Sequence, residues 1–220
     1  MRKRRRRIPG IRPRVFDSMH TWPLLGLDEV GTGGVAGPIA ASGVVLPQDE
    51  GVLDALSSLG LKDSKEMTSV MRSRAYEVIR KHAVFCHTEF IHPRELEAFG
   101  QGPSLDKMFD CIMGKFRLQM GTGGSIVLDG NFRKNLSFFH VAVHQGDQKS
   151  FSIAAASVVA KVERDAVMVD LAQDFPGYGL EKNKGYLTRD HKEGLEKLGV
   201  AEVHRRNTKP IKAFIASPLD

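Results

Sequence analysis

The stretch Leu25-Gly26-Leu27-Asp28-Glu29-Val30-Gly31-Thr32-Gly33-Gly34-Val35-Ala36-Gly37-Pro38 decides how this chain is read. An apolar run ends in two adjacent carboxylates, a glycine-dense turn follows, and a second apolar run occupies Ile39 to Leu46. That order predicts a strand, an acidic strand end, a tight backbone loop and a second strand. Asp and Glu are poor strand residues, so a pair of them closing an apolar strand calls for a cause. A solvated turn is one such cause. The other is a hard-cation site beside a loop whose missing side chains let another backbone come close.

Two further apolar runs end in the same way. Asp129 follows Ile126-Val127-Leu128, and Asp147 follows Val141-Ala142-Val143-His144-Gln145-Gly146. If these strands are neighbours in one sheet, Asp28, Glu29, Asp129 and Asp147 converge at one edge. Four oxygen donors suit Mg²⁺ or Mn²⁺ rather than zinc. Two such ions close together are a standard device for phosphoester hydrolysis. Successive residues of a regular strand point to opposite faces, so Asp28 and Glu29 serve one site only if the strand twists or ends there. The remaining acids of interest, Asp63, Asp106, Asp165 and Asp190, fall in loops or helices, and Asp165 reads as part of a solvated helix face with opposite charge nearby.

Around this framework the pattern is that of a layered α/β domain. Strands are expected at about 23–30, 38–46, 83–91, 125–128 and 137–143. Helices are expected at about 50–58, from Thr68 as N-cap to Lys81, from Pro93, over 104–119, from Phe151 to about Gln173, and over 188–198 with Gly199 as the stop. The 151–173 segment is rich in Ala and Val, and its small residues would let it lie close on a sheet. The region from His204 onward is basic and without a clear pattern.

The 220 residues, 41% hydrophobic and 26% charged, suit one soluble domain with a sizeable core. No apolar run has transmembrane length, and no apolar segment follows the basic start, which speaks against a secretory signal. A cytoplasmic, monomeric protein without membrane contact is expected. Cys86 and Cys111 form no metal-spaced motif and are expected to be reduced and in or near the core. Residues 1–14 hold eight of the 32 Lys and Arg and no acid, leaving 24 basic against 26 acidic side chains elsewhere. The net charge of +6 therefore comes from the start of the chain. Residues 1–20 are expected to form a disordered basic tail attractive to polyanions, and residues 21–220 the folded domain.

Taken together, the segments Gly26-Leu27-Asp28-Glu29-Val30-Gly31, Ala36-Gly37-Pro38, Lys62-Asp63-Ser64-Lys65, Leu128-Asp129-Gly130, Gly146-Asp147-Gln148-Lys149-Ser150, Ser152 to Asp165, Lys184-Gly185-Tyr186 and Val203-His204-Arg205-Arg206 resemble the ribonuclease HII family, in the family's order across about residues 24–207. The resemblance implies a ribonuclease H-like fold, a central mixed sheet flanked by helices with a C-terminal helical portion. It implies a two-metal site using Mg²⁺ or Mn²⁺. It implies endonucleolytic cleavage of the RNA strand in RNA–DNA hybrids and 5′ of single ribonucleotides embedded in duplex DNA, giving 3′-hydroxyl and 5′-phosphate ends, a role in ribonucleotide excision repair. Asp28, Glu29, Asp129 and Asp147 fall on the family's catalytic positions. Tyr186 falls on the tyrosine that packs against the deoxyribose beside the ribonucleotide. Lys65, Arg205 and Arg206 look like phosphate contacts, and Ser150 with Lys149 lies where backbone phosphate would be oriented.

One departure concerns the turn after the acidic pair, where the family usually has Gly-Arg-Gly, the related type 3 enzymes have Gly-Lys-Gly, and this chain has Gly31-Thr32-Gly33. The glycines still allow backbone approach to a ribose 2′-hydroxyl, the group that distinguishes RNA from DNA, but the long cation is gone. Two alternatives therefore stay open: a nuclease limited to long hybrids, and a hybrid-binding protein without turnover.

Overall fold

The computed structural model describes residues 13–61 and 67–216. Its centre is a five-stranded sheet built from β1 (Leu24–Val30), β2 (Ile39–Val45), β3 (Phe85–Ile91), β4 (Ser125–Asp129) and β5 (Val141–Val143), in the order β3-β2-β1-β4-β5. β2 runs antiparallel to both β1 and β3, while β4 is parallel to β1 and β5 parallel to β4. The sheet is thus mixed, as expected. Because β1 and β4 pair from Leu24 with Ser125 to Leu27 with Leu128, their next residues, Asp28 and Asp129, stand at the same level, Asp28 still paired with Ser42 of β2 and Asp129 with Val143 of β5.

The helices are α1 (Pro13–Ser18), α2 (Glu50–Ser58), α3 (Ser69–His82), α4 (Pro93–Phe99), α5 (Gln101–Met120), α6 (Phe151–Asp174), α7 (Leu180–Asn183), α8 (Arg189–Leu198) and α9 (Lys209–Ala216). Local chemistry fixes several of their starts. Asp49, Thr68 and Thr188 accept from backbone amides of the first turns of α2, α3 and α8. Pro93 opens α4, where its missing N–H costs nothing. One face of the sheet buries Leu25, Leu27 and Leu128 against Phe109, Ile112 and Phe116 of α5. On the opposite side, Val44 joins α2, α3 and the Ala154–Ala156 segment of α6.

α6 lies unusually close to β1. A methyl group placed on Gly26 would stand 2.1 Å from the Ser152 carbonyl carbon. The alanines and serines of α6, read from sequence as a close-packing surface, serve that contact. The C-terminal helices form a separate cluster, in which Tyr178, Leu180, Leu195, Val203 and Ile211 pack on Val35, Ala36 and Met168.

Some expectations are corrected. The folded part begins earlier than Thr21: α1 is seated by Asp17, which accepts from both the backbone amide and the hydroxyl of Ser152, and by Arg14, which pairs with Glu50 and Asp54 at 2.8 and 2.6 Å. Residues 1–12 of the tail expected over 1–20 lie outside the described residues. The strand expected at 137–143 is confined to Val141–Val143, because the backbone amide and hydroxyl of Ser137 are taken by Asp110 on α5 instead of by a neighbouring strand. The region after His204 contains α9, whose Ile211 is fully buried. Both cysteines are free, and Cys111 is exposed on α5 rather than in the core. Among the described residues no helix is long and apolar enough to cross a membrane.

The Gly26 contact gives the first prediction. Gly26→Ala forces α6 away from β1 and should destabilise the protein by roughly 2–3 kcal/mol, the upper range for overpacking a tight core. Thermal unfolding followed by circular dichroism would show this as a fall of several degrees. An unchanged midpoint would mean the helix–strand contact is slack.

Candidate active site

Asp28, Glu29 and Asp129 line one cavity of about 370 Å³, together with Val30, Arg72, Ser157, Val158 and Lys161. The strand-parity difficulty is met at the end of β1, where Asp28 and Glu29 both reach this cavity although they are adjacent. Asp28 is almost fully buried, accepts from the Glu29 amide at 2.8 Å and takes a hydrogen bond from Ser157 of α6. Asp129 accepts from the Gly146 amide at 2.6 Å. That bond ties the end of β4 to the 3₁₀ turn Gly146–Gln148, which carries Asp147. Asp147 is buried beside the cavity but does not line it. The structure therefore brings three of the four expected carboxylates into one cavity and sets the fourth next to the residue that holds Asp129.

The electrostatics are those of crowded acids. Burial, then the charge of Asp129, raises the Asp28 carboxyl well above its ordinary range, and Glu29 adds to this while the Ser157 bond opposes it. Glu29 is raised by burial and then by Asp129, with Arg133 acting the other way. Groups so placed gain from a cation that neutralises them. The donors facing the cavity are oxygens, and neither Cys nor His is among them, which fits a hard divalent ion. Among the described residues no three His, Cys, Asp or Glu side chains are arranged so as to hold a metal ion as they stand.

The residues expected to touch nucleic acid divide into several groups. Gly31, Thr32 and Gly33 form a turn directly after β1, with Gly31 buried at φ +88°, Thr32 half-buried and Gly33 exposed. Tyr186 is exposed, and its ring edge lies 3.7 Å from where a Gly33 side chain would begin. Its carbonyl accepts from Nδ1 of His191 at 2.9 Å, and the Nε2 atoms of His191 and His204 are 3.1 Å apart. One proton must lie between those two nitrogens. With Nδ1 of His191 already donating, it belongs to His204. Burial, the largest influence, holds His204 down at about 4, and lowers His191 as well, which favours the neutral imidazoles.

Arg206 is exposed. Arg205 is a correction: it is 3% exposed and faces no phosphate, because its guanidinium donates to the carbonyls of Gly31, Gly34, Gly37 and Pro38 at 2.7 to 3.0 Å. Ser150 is also corrected. It is fully buried and caps α6 by accepting from the Ile153 amide, so its hydroxyl is engaged inside the fold. Lys149 donates to the His144 carbonyl at 2.7 Å. Lys65 lies outside the described residues.

Sequence reasoning gave no role to Ser157, Lys161, Arg164 or Arg72, which the structure places at or under the site. The first three recur at helical spacing along α6, a signal that any one-sided helix also gives.

Comparisons with known proteins bear on the family and the fold. The family model described as ribonuclease HII matches residues 25–110 and 125–210. A ribonuclease HII of Francisella tularensis subsp. novicida is 34% identical over 192 residues, covering 87% of this chain and 99% of the relative. Among solved structures, the PCNA:RNase HII complex from Archaeoglobus fulgidus has a chain 28% identical, with TM-score 0.70 over 84% of this chain and 95% of that one. Bst-RNase HIII in complex with Mn²⁺ shares the fold with TM-score 0.72 at 16% identity, over 88% of this chain and 69% of the other.

The raised carboxyls give a prediction with a definite sign. A carboxyl raised on folding supports stability while protonated, below its unfolded value, and that support is lost as pH rises through the folded value. Asp28→Asn should therefore raise the unfolding temperature in EDTA at pH 7, with the gain shrinking towards pH 3.5. Each kcal/mol would appear as about 2–4 °C. Mn²⁺ should stabilise the parent protein more than the variant. A variant less stable in EDTA at pH 7 would contradict the crowded-acid account.

Proposed function

This chain belongs to the ribonuclease HII family, and on that premise we propose that it cuts RNA–DNA hybrids and also cuts 5′ of single ribonucleotides in duplex DNA, using two divalent ions. At the family level it is a metal-dependent ribonuclease, a hydrolase acting endonucleolytically on RNA paired with DNA. The observation that carries the finer reading is the meeting of Asp28, Glu29 and Asp129 in one cavity beside the Gly31–Gly33 turn and Tyr186.

In this reading Asp28, Glu29, Asp129 and Asp147 hold Mg²⁺ or Mn²⁺. When bound, the ions supply Lewis acidity at the scissile phosphate. The protein's own residues do the rest. Ser157 orients Asp28, and the Gly146 amide orients Asp129. The turn brings backbone donors to the ribose, where Gly33 leaves room for the sugar. Tyr186 offers a flat apolar face to the neighbouring deoxyribose. Arg206, and Lys65 with the basic residues before Pro13, provide cations for the phosphate backbone. The Archaeoglobus relative is described in complex with PCNA; the substrate duplex is the partner proposed for this chain.

The deciding experiment is cleavage of two labelled duplexes in Mg²⁺ or Mn²⁺, one carrying a single ribonucleotide and the other a continuous RNA strand on DNA. Both should be cut, the first immediately 5′ of its ribonucleotide. Asp129→Asn should lower both rates by more than about a hundredfold, beyond the range for outer-shell partners. Cleavage of the hybrid alone would favour an enzyme limited to long hybrids, a reading that the uncharged Thr32 supports. Binding of both without cleavage would favour a silent hybrid-binding protein. Thr32→Arg should raise the rate on the single-ribonucleotide duplex; an equal or lower rate counts against a cation-poor turn being the limiting feature.

A further inference from the structure

We propose that Arg164 and Arg205 are positioning residues that set the shape and charge of the Gly31–Gly34 turn, allowing this chain to read a ribose with a turn that carries no cation of its own. The inference rests on the ribonuclease reading above.

Both guanidiniums are buried, Arg164 at 0% exposure and Arg205 at 3%. Arg205 spends its donors on the carbonyls of Gly31, Gly34, Gly37 and Pro38. Arg164 donates to the carbonyls of Pro38 at 2.7 Å, Lys184 at 3.0 Å and Ala36 at 3.5 Å. Among the described residues neither forms an ion pair with a carboxylate. A buried charge is ordinarily paired with an opposite one, because water no longer stabilises it. Burial depresses both arginines, and Arg205, with Arg164 beside it, falls to about 9. Two like charges are thus held under one turn, offset mainly by carbonyl dipoles, with Asp165 and the Tyr186 ring near Arg164.

The arrangement fixes where the turn's amides point. In a planar trans peptide the N–H lies opposite the C=O. The Gly31 carbonyl is turned inward, to Arg205 and to the Gly34 amide, so the Thr32 amide is turned away from the arginines. Among the described residues no main-chain carbonyl accepts from the Thr32 or Gly33 amide. Two adjacent free donors above two buried cations make a surface suited to a sugar hydroxyl flanked by phosphate. Gly31 is what permits this seating, since a side chain there would begin 2.1 Å from Nε of Arg164.

Arg164 also joins the turn to Tyr186. Its donation to the Lys184 carbonyl crosses to the Tyr186 loop, and its guanidinium carbon lies 5.9 Å from the Tyr186 ring centre. The amides of Val35 and Ala36 donate to the Gly185 carbonyl, closing the same junction. One pair of side chains that need never touch substrate therefore sets two substrate-facing elements in register.

Arg164→Lys and Arg205→Lys keep the charge and lose the planar fork. Each would be combined with Asp129→Asn to block cleavage. Affinity would then be measured for a DNA duplex carrying one ribonucleotide and for the same duplex without it. The Asp129→Asn parent should prefer the ribonucleotide duplex, and each lysine variant that folds, judged by its circular dichroism and melting curve, should lose about tenfold of that preference with little change on plain DNA. If one variant does not fold, the other decides. An equal loss on both duplexes, or full preference retained, overturns the assignment of the arginines alone. A parent without preference overturns the underlying reading of the turn, and this assignment with it.

Discussion

The close approach of α6 to β1 is the constraint on which the rest of the site depends. Gly26 leaves the Ser152 backbone room to lie against the strand, and everything further along α6 inherits that placement. Ser157 meets Asp28 at the strand's acidic end, Lys161 faces the same cavity, Arg164 reaches under the glycine turn, and Met168 supports Ala36 from the C-terminal cluster. These residues stand at intervals of three and four along the helix, as a single helical face requires. One helix thus aligns the acids, the turn and the C-terminal portion. A shift of the helix would disturb all three together.

The charge distribution is costly in both directions. At one end of the helix face, carboxyls are crowded until Asp28 and Glu29 resist ionisation. A few residues further on, two guanidiniums are buried without ion-pair partners among the described residues. Neither arrangement favours the folded protein on its own. Such local conflicts are expected where a fold keeps groups ready for a ligand that supplies the missing charge. On the proposed reading a divalent cation answers the carboxyls, while the guanidiniums are answered from within the fold, by the carbonyls they donate to.

Much of this was legible in the sequence. The acidic strand ends stood out because Asp and Glu are misplaced in apolar strands, and parallel pairing of β1 with β4 brings Asp28 and Asp129 level. The cap at Thr68 and the stop at Gly199 were readable because they act through neighbours in sequence. What could not be read depends on distant partners. Arg205 looks like any cation in a basic segment; only the fold shows its donors directed at carbonyls about 170 residues earlier in the chain. Ser150 could orient a phosphate or cap a helix, and its burial beneath α1 selects the cap. β5 is shorter than the apolar Phe138 and Phe139 suggest, because Ser137 is tied to Asp110 and Phe139 stays exposed.

The same contrast bears on why Thr32 is tolerable where a long cation is usual. A side chain at the tip of a turn acts by reaching outward, and replacing it alters reach and charge but leaves the backbone path unchanged. The path here is set from below, by carbonyls drawn inward to Arg164 and Arg205 and by the Gly185 carbonyl that holds Val35 and Ala36. Discrimination by backbone amides depends on that path, since a misaligned donor weakens steeply with angle. The tip can therefore vary while the ability to meet a sugar hydroxyl is retained. A change at either buried arginine alters the path itself. On the proposed reading, variation at the tip tunes affinity for phosphate, and selectivity for ribose is held in residues that need never contact the substrate.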